Sequence, residues 1–246
     1  MEYTLTKKER RALKRAAKAE ARAQQTNTGN WRRGFNWLWG VVIAGLAIWG
    51  LVVLVQSTQG TAEIAADKLA VAADDWRNGP AEAKATLVEY GDFQCPACAA
   101  YHDLVDQLIL ELGDQMRFVY RHFPLTSIHA NARPSALAAE GAGAQGKFWE
   151  MYDLLYTKQG EWSDLTDPMP KFKEFATALE LDLAKFETDT KTPASADKIA
   201  KHVLGANQLR VDSTPTFYLN GARVSPRNYE EFKGLVTAAI DEAPAK

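Results

Sequence analysis

The spacing of apolar and polar positions changes character along this chain of 246 residues. From Gly34 to Ala62 no charged residue occurs, and Phe35 to Val55 is a run of 21 residues that is nearly all apolar. At about 1.5 Å per residue such a run spans a hydrocarbon core of about 30 Å. Trp31, Trp37 and Trp39 gather at its basic end, where an amphipathic ring suits the headgroup layer. A buried soluble helix that is apolar on every side and flanked by Arg32-Arg33 would be unusual. The pattern therefore predicts a membrane helix over 34–56, followed by a small, polar tether over 57–67.

Beyond the tether, alternation and helical spacing take turns. Ala85–Tyr90 reads as a strand closed by Gly91-Asp92. Tyr101, Leu104, Val105, Leu108, Ile109 and Leu112 then follow at helical spacing, with Gly113 as the stop. Met116–Phe123 alternates like a strand and ends at Pro124. These three make a strand–helix–strand unit, whose parallel crossover should be right-handed. The stretch from about 131 to 210 reads as helical, with breaks at Gly160, Pro168, Pro170 and Pro193. Strand character returns at Thr216–Leu219, and Asn220-Gly221 before Arg223-Val224 is a strong hairpin signal. Tyr229–Ile240 closes as an amphipathic helix.

Charge sharpens this division. Residues 1–33 hold ten Lys or Arg against three Glu, a balance of +7, while the rest carries 19 basic and 28 acidic side chains. The basic excess ahead of the apolar run predicts a cytoplasmic N-terminus and a domain outside. Arg32-Arg33-Gly34-Phe35 loosely resembles a twin-arginine signal, with small residues at Ile64-Ala65-Ala66 beyond it. A signal's apolar stretch is only about 7–15 residues long, so the run is read as a retained anchor. The basic tail is read as a solvated charged helix. An acidic domain and a short membrane-proximal basic tail give no support for a nucleic-acid partner.

The chain has two cysteines, Cys95 and Cys98. A bridge between them closes a tiny loop and stabilises little through chain entropy, so chemistry explains them better than architecture. A lone pair at this spacing is half of a zinc site or a dithiol. Only His102, His122, His129 and His202 remain as soft ligands, and they show no zinc spacing, so no metal or other cofactor is expected. Following a strand and opening a helix, Cys95 meets unpaired backbone N–H groups and the positive helix end, which favour a thiolate. Pro96 fits the first helical turn, Ala97 adds neither charge nor donor, and Cys98, one turn on, is placed to resolve a mixed disulfide. His102, His122 and His129 are read as packing or structural residues first. Periodicity leaves Glu89 open between a buried acid and a strand-edge carboxylate facing water.

The run from Glu89 to Cys98 resembles the active-site strand and helix of the thioredoxin superfamily. Arg121–Leu125, His129, Phe148-Trp149 and Ser213–Phe217 ahead of Asn220-Gly221 resemble its DsbA-like branch. The resemblance runs from about Lys68 to Ala243. It implies an α/β thioredoxin-like fold over 68–243 with a helical insertion at about 131–210, preceded by one N-terminal transmembrane helix after a basic tail at 1–33. It also implies that Pro215 is a cis-proline opposite the dithiol that presents substrate backbone. Thr214 then tunes redox behaviour and substrate release, and Glu89 relays a proton to the inner thiol. Pro96 and Ala97 lie where substrate meets the pair. The most oxidising members of that branch carry histidine between the cysteines, where this chain has Ala97.

The expected function is thiol–disulfide exchange outside the cytoplasm, in the periplasm or at the cell exterior, from a single-pass anchor in the cell membrane. The expected partners are thiol-containing secreted or envelope proteins and a membrane redox partner that resets the dithiol. A reductase or isomerase of the same fold is the alternative. A non-catalytic binding or chaperone module is a third reading, of another class.

Overall fold

The computed structural model describes residues 6–24, 46, 48, 49 and 69–243, and the chain divides into one unit over Met1–Thr61 and another over Ala62–Lys246. In the first unit, residues 7–24 form helix α1 with every side chain exposed. Its start is set locally: the Thr6 N–H and hydroxyl both donate to Glu9 Oε2 at 2.8 Å, one half of a capping box. Among the described residues no helix is long and apolar enough to cross a membrane. The span predicted over 34–56 lies outside them, apart from Leu46, Ile48 and Trp49.

The second unit is built on a five-stranded sheet of order β1-β3-β2-β4-β5. The strands are β1 (Trp76–Asn78), β2 (Ala85–Gly91), β3 (Met116–His122), β4 (Thr216–Leu219) and β5 (Ala222–Val224). β2 and β3 run parallel, joined by helix α2 (Pro96–Leu112), as the strand–helix–strand pattern predicts. α2 turns Cys98, His102, Val105 and Leu108 inward and stops at Gly113. β1 and β4 pair antiparallel to the outer edges of that core, and β4 turns into β5. Asn220 and Gly221 make that turn with φ of +46° and +86°, as a two-residue hairpin with a mirror-image turn requires.

Alternation decides which side each residue of the central strands serves. Leu87, Phe118 and Phe217 join one core with α2 and the helical insertion, whereas Val88, Tyr90, Val119 and Tyr218 join a second, smaller one. The insertion comprises α3 (Ala132–Gly143), α4 (Phe148–Thr157), a 3-10 turn at Gln159–Glu161, α5 (Met169–Ala178), α6 (Leu183–Asp189) and α7 (Pro193–Gln208). Its prolines open helices more than they break them. Pro193 occupies the first turn of α7 behind the Thr192 cap, and Pro170 sits in the first turn of α5, where a missing N–H costs nothing. α8 (Tyr229–Asp241) closes the chain on the Asn228 cap.

β1 is not evident from periodicity. It is three residues long and is held by side chains from far along the chain. Trp76 stacks on Phe148 at 4.3 Å and donates from Nε1 to Glu140 at 2.6 Å. A Cβ on Gly143 would lie 2.3 Å from the Trp76 ring, so only glycine lets the indole lie flat there. Behind it is a buried polar network. Arg121 donates to Asp75 through Nε at 3.1 Å and Nη2 at 2.7 Å. Glu140 pairs with His122 at 2.8 Å and Lys198 at 3.2 Å.

Candidate functional site

The site forms where β2 hands over to α2. The Cys95 N–H donates to the Asp92 carbonyl at 3.0 Å, a turn that sets Cys95 as the N-cap of α2 with φ −71° and ψ 121°. Pro96 follows at the first helical position, and no side chain caps the helix. The Cys95 thiol also reaches the Thr214 carbonyl at 3.5 Å. The Thr214–Pro215 peptide bond is cis. Thus Cys95, Cys98, Thr214 and Pro215, far apart in sequence, meet at one place, with both thiols free.

Cys95 and Cys98 are not equivalent. Cys95 is 7% exposed and Cys98 1%, while Pro96 and Ala97 between them face solvent. A hydrogen bond from the Cys98 thiol holds the Cys95 pKa down to about 5, against the cost of burial and with help from Thr214 and the N–H groups of Cys98 and Ala97. Burial drives the Cys98 thiol the other way, well above the ordinary range, and the neighbouring Cys95 and Glu89 add to the rise. At neutral pH the outer sulfur is therefore a thiolate and the inner one a thiol.

Glu89 is buried, not facing water: it is 1% exposed. Its register opposite Tyr120 and Phe217 puts it in the middle of the sheet, on the α2 side together with Leu87. Burial pushes its pKa up to about 8, His102 opposing and Cys95 reinforcing the rise. A Cβ at Gly91 would stand 2.5 Å from the Tyr120 ring and 2.9 Å from Glu89 Oε1. The glycine thus leaves room for the carboxyl beneath the dithiol.

Several residues that hold this arrangement escape sequence reasoning. The buried Asp92 carboxylate accepts from Gln94 N at 2.8 Å, Leu125 N at 3.0 Å and His129 Nδ1 at 2.7 Å, and Asp92 N lies 3.5 Å from the Cys98 sulfur. Gln94 donates to the Ser163 carbonyl at 2.7 Å and accepts from Asn131 N at 2.5 Å. Gln159 donates to the carbonyls of Phe93 at 2.7 Å and Cys95 at 3.1 Å. The insertion is thereby stitched to the turn that carries Cys95. No periodicity encodes such pairs; the one local signal is that Gln94 directly precedes Cys95.

His102 proves to be buried one turn below Cys98, with Nε2 at 3.1 Å from Asp153 and 3.4 Å from Asp106. The ligating atoms of these three residues lie within 4.8 Å of one another, yet the histidine nitrogens already face carboxylates, as in an ion pair. His122 bonds Glu140 within the buried network. Beside Pro215 a groove of about 230 Å³ opens, lined by Tyr101, Phe217, Arg223 and Val224 among others.

Comparison with known proteins fits this geometry. Among solved structures, alpha-DsbA1 of Wolbachia pipientis superposes with a TM-score of 0.65 at 18% identity, over 73% of this chain and 97% of that one. BdbD of Bacillus subtilis, in its oxidised form, gives 0.60 at 20% identity over 67% and 92%. A thioredoxin-like oxidoreductase of Silicibacter pomeroyi gives 0.60 at 24% over 72% and 96%. At these identities the likeness carries the fold. By sequence, the chain is 42% identical over 169 residues to a protein of Salinispora arenicola named Na(+)/H(+) antiporter NhaA 1, a match over 68% of this chain and 25% of that protein. Similarity to an antiporter of the same kind in Herminiimonas arsenicoxydans is 33% over 61% and 23%. The chain thus spans about a quarter of the length of these curated relatives. A family model described as thioredoxin matches residues 72–238, so this chain belongs to the thioredoxin family.

Proposed function

We propose that the chain is a thiol–disulfide oxidoreductase that oxidises thiols of secreted or envelope proteins outside the cytoplasm. The observation that carries this reading is the asymmetric pair: a low-pKa Cys95 at a helix N-terminus beside cis-Pro215, over a buried high-pKa Cys98. A substrate thiolate attacks Cys95 of the oxidised pair, and Cys98 leaves with the electron pair of the broken S–S bond. The second substrate thiolate then attacks its own sulfur in the mixed disulfide and expels Cys95 as a stable thiolate. A group that stabilises the reduced form this way makes the disulfide a better oxidant, which favours the oxidase direction over the reductase or isomerase one.

In this proposal Pro96, Ala97, Thr214 and Pro215 meet the substrate, since they ring Cys95. Glu89 supplies the proton that Cys98 needs on leaving, because a buried acid with a pKa about 8 is protonated at neutral pH. The apolar run at 35–55 supports a membrane anchor with the domain outside, and turnover needs a membrane partner that reoxidises the dithiol. Ion transport forms no part of the proposal, because the chain matches only about a quarter of each antiporter.

The test is the redox potential of the purified chain equilibrated in glutathione buffers, with Cys98→Ala as control. The expected outcome is a reversible two-electron couple well above about −300 mV, the range of structural disulfides. A strongly reducing value would reverse the direction, and the lack of any couple would leave only a binding module.

A further inference from the structure

The exchange leaves a problem inside the protein. Once Glu89 has given its proton to Cys98, a carboxylate remains in a nearly dry chamber, where an uncompensated charge is costly. Cys98, Tyr120, Tyr152 and Tyr156 interact electrostatically with Glu89 there and are all buried. Tyr120 and Tyr156 bond each other through their hydroxyls at 3.0 Å. None of these groups is a cation.

His102 is the exception. It is 3% exposed, on the inward face of α2 four residues after Cys98. Its ring packs against those of Tyr152 and Tyr156, each at 5.3 Å. Its nitrogens point the other way. Nδ1 lies 3.5 Å from Asp103, and Nε2 lies 3.1 Å from Asp153 of α4 and 3.4 Å from Asp106. Those carboxylates reach solvent, so they can return a proton to the ring. Carboxylates on the outer side of the imidazole favour its charged form, against the cost of burial.

We propose that His102 is a positioning residue for proton transfer, an imidazolium held by Asp106 and Asp153 that offsets the charge left on Glu89 when Cys98 takes its proton. The proposal rests on the oxidoreductase reading. The electron balance is that of the exchange: the Cys95–Cys98 bond breaks, a bond from Cys95 to the substrate sulfur forms, and the pair moves to Cys98. The proton moves from Glu89 to Cys98 and is replaced from solvent before the next cycle. Two pKa directions agree with the geometry. The acids raise that of His102 against the effect of burial, and His102 opposes the rise of Glu89.

The groups facing this pair are Cys95 at the N-cap of α2, Cys98, Asp103 and Asp106 of α2, Tyr120 of β3, and Tyr152, Asp153 and Tyr156 of α4. The full chain, carrying carboxyl-labelled glutamate, is titrated by carbon NMR, with Glu89→Gln identifying the Glu89 signal. His102→Gln is expected to move the Glu89 midpoint upward by about one pH unit, and His102→Lys to restore most of it. The pH profile for reduction by dithiothreitol, corrected for thiolate fraction, should shift likewise, and the shift should vanish in a Glu89→Gln background. If His102→Gln unfolds the chain, Asp106→Asn with Asp153→Asn should give the same upward shift by neutralising the imidazole. An unchanged midpoint, or a shift that survives Glu89→Gln, overturns the proposal while the glutathione couple of the wild type still stands. Loss of that couple would instead remove the oxidoreductase reading.

Discussion

Two buried glutamates, in regions with different duties, respond to burial in opposite ways. Glu140, behind the edge strand, accepts from the Trp76 indole and pairs with His122 and Lys198. Burial works against its charge, but His122, Lys198 and Trp76 outweigh it and hold the pKa down to about 2. Glu89, beneath the dithiol, is raised by burial to about 8, with His102 opposing that rise and Cys95 adding to it. The desolvation is shared; the partners are not. A satisfied acid stays charged and ties elements together, whereas an under-compensated one is left poised to exchange a proton near neutral pH.

The difference can be attacked from both sides. The largest effect belongs to the site: Cys95→Ser should abolish disulfide exchange, and Cys98→Ala should trap mixed disulfides visible on non-reducing gels. Next is the network. Glu140→Ala leaves His122 and Lys198 unpaired in the interior and should cost about 3–5 kcal/mol in denaturant unfolding, without moving the redox potential. A potential that moved with it would join the two regions into one device.

A smaller and more telling effect is the dependence of stability on pH. Glu89 has a higher pKa folded than unfolded, so its contribution is complete below the unfolded value near 4.5 and is lost as pH rises through about 8. The oxidised chain should therefore lose up to about 1.4 kcal/mol per pH unit across that window, and Glu89→Gln should flatten the slope. Cys95 runs in reverse in the reduced chain: its stabilisation is present above its ordinary range near 9 and is lost as pH falls through about 5. The reduced chain should thus show the weaker dependence, and unfolding curves of both redox forms at several pH values check it. Smallest of all, Gln159→Leu removes two bonds to the active-site turn and should cost about 1–3 kcal/mol, slowing exchange without abolishing it.

Much of the frame could be read from the chain because it is locally encoded. The alternation of Ala85–Tyr90, the helical spacing from Tyr101 to Leu112 and the Asn220-Gly221 turn each lie within a few residues of the structure they specify. The cysteines and Pro215 were legible too, through motifs. Trp76–Asn78 was not, because its reason for being a strand lies in Phe148, Gly143 and Glu140. The burial of Glu89 was implied by the resemblance but hidden from periodicity: β2 is covered on both faces, so alternation names two sides without saying that neither is wet. Gln94 and Gln159 act across tens of residues through single amides, which no periodic pattern records.

The dithiol is a single port. Only Cys95 can be touched from outside, since Cys98 lies beneath it at 1% exposure. Under the proposed function, whatever delivers electrons and whatever removes them would have to call at the same sulfur, one after the other. Substrate and regenerating partner would then be rivals for one berth, and turnover would take a ping-pong form. An excess of either partner should slow the other, so their relative abundance in the compartment would set the pace of the cycle.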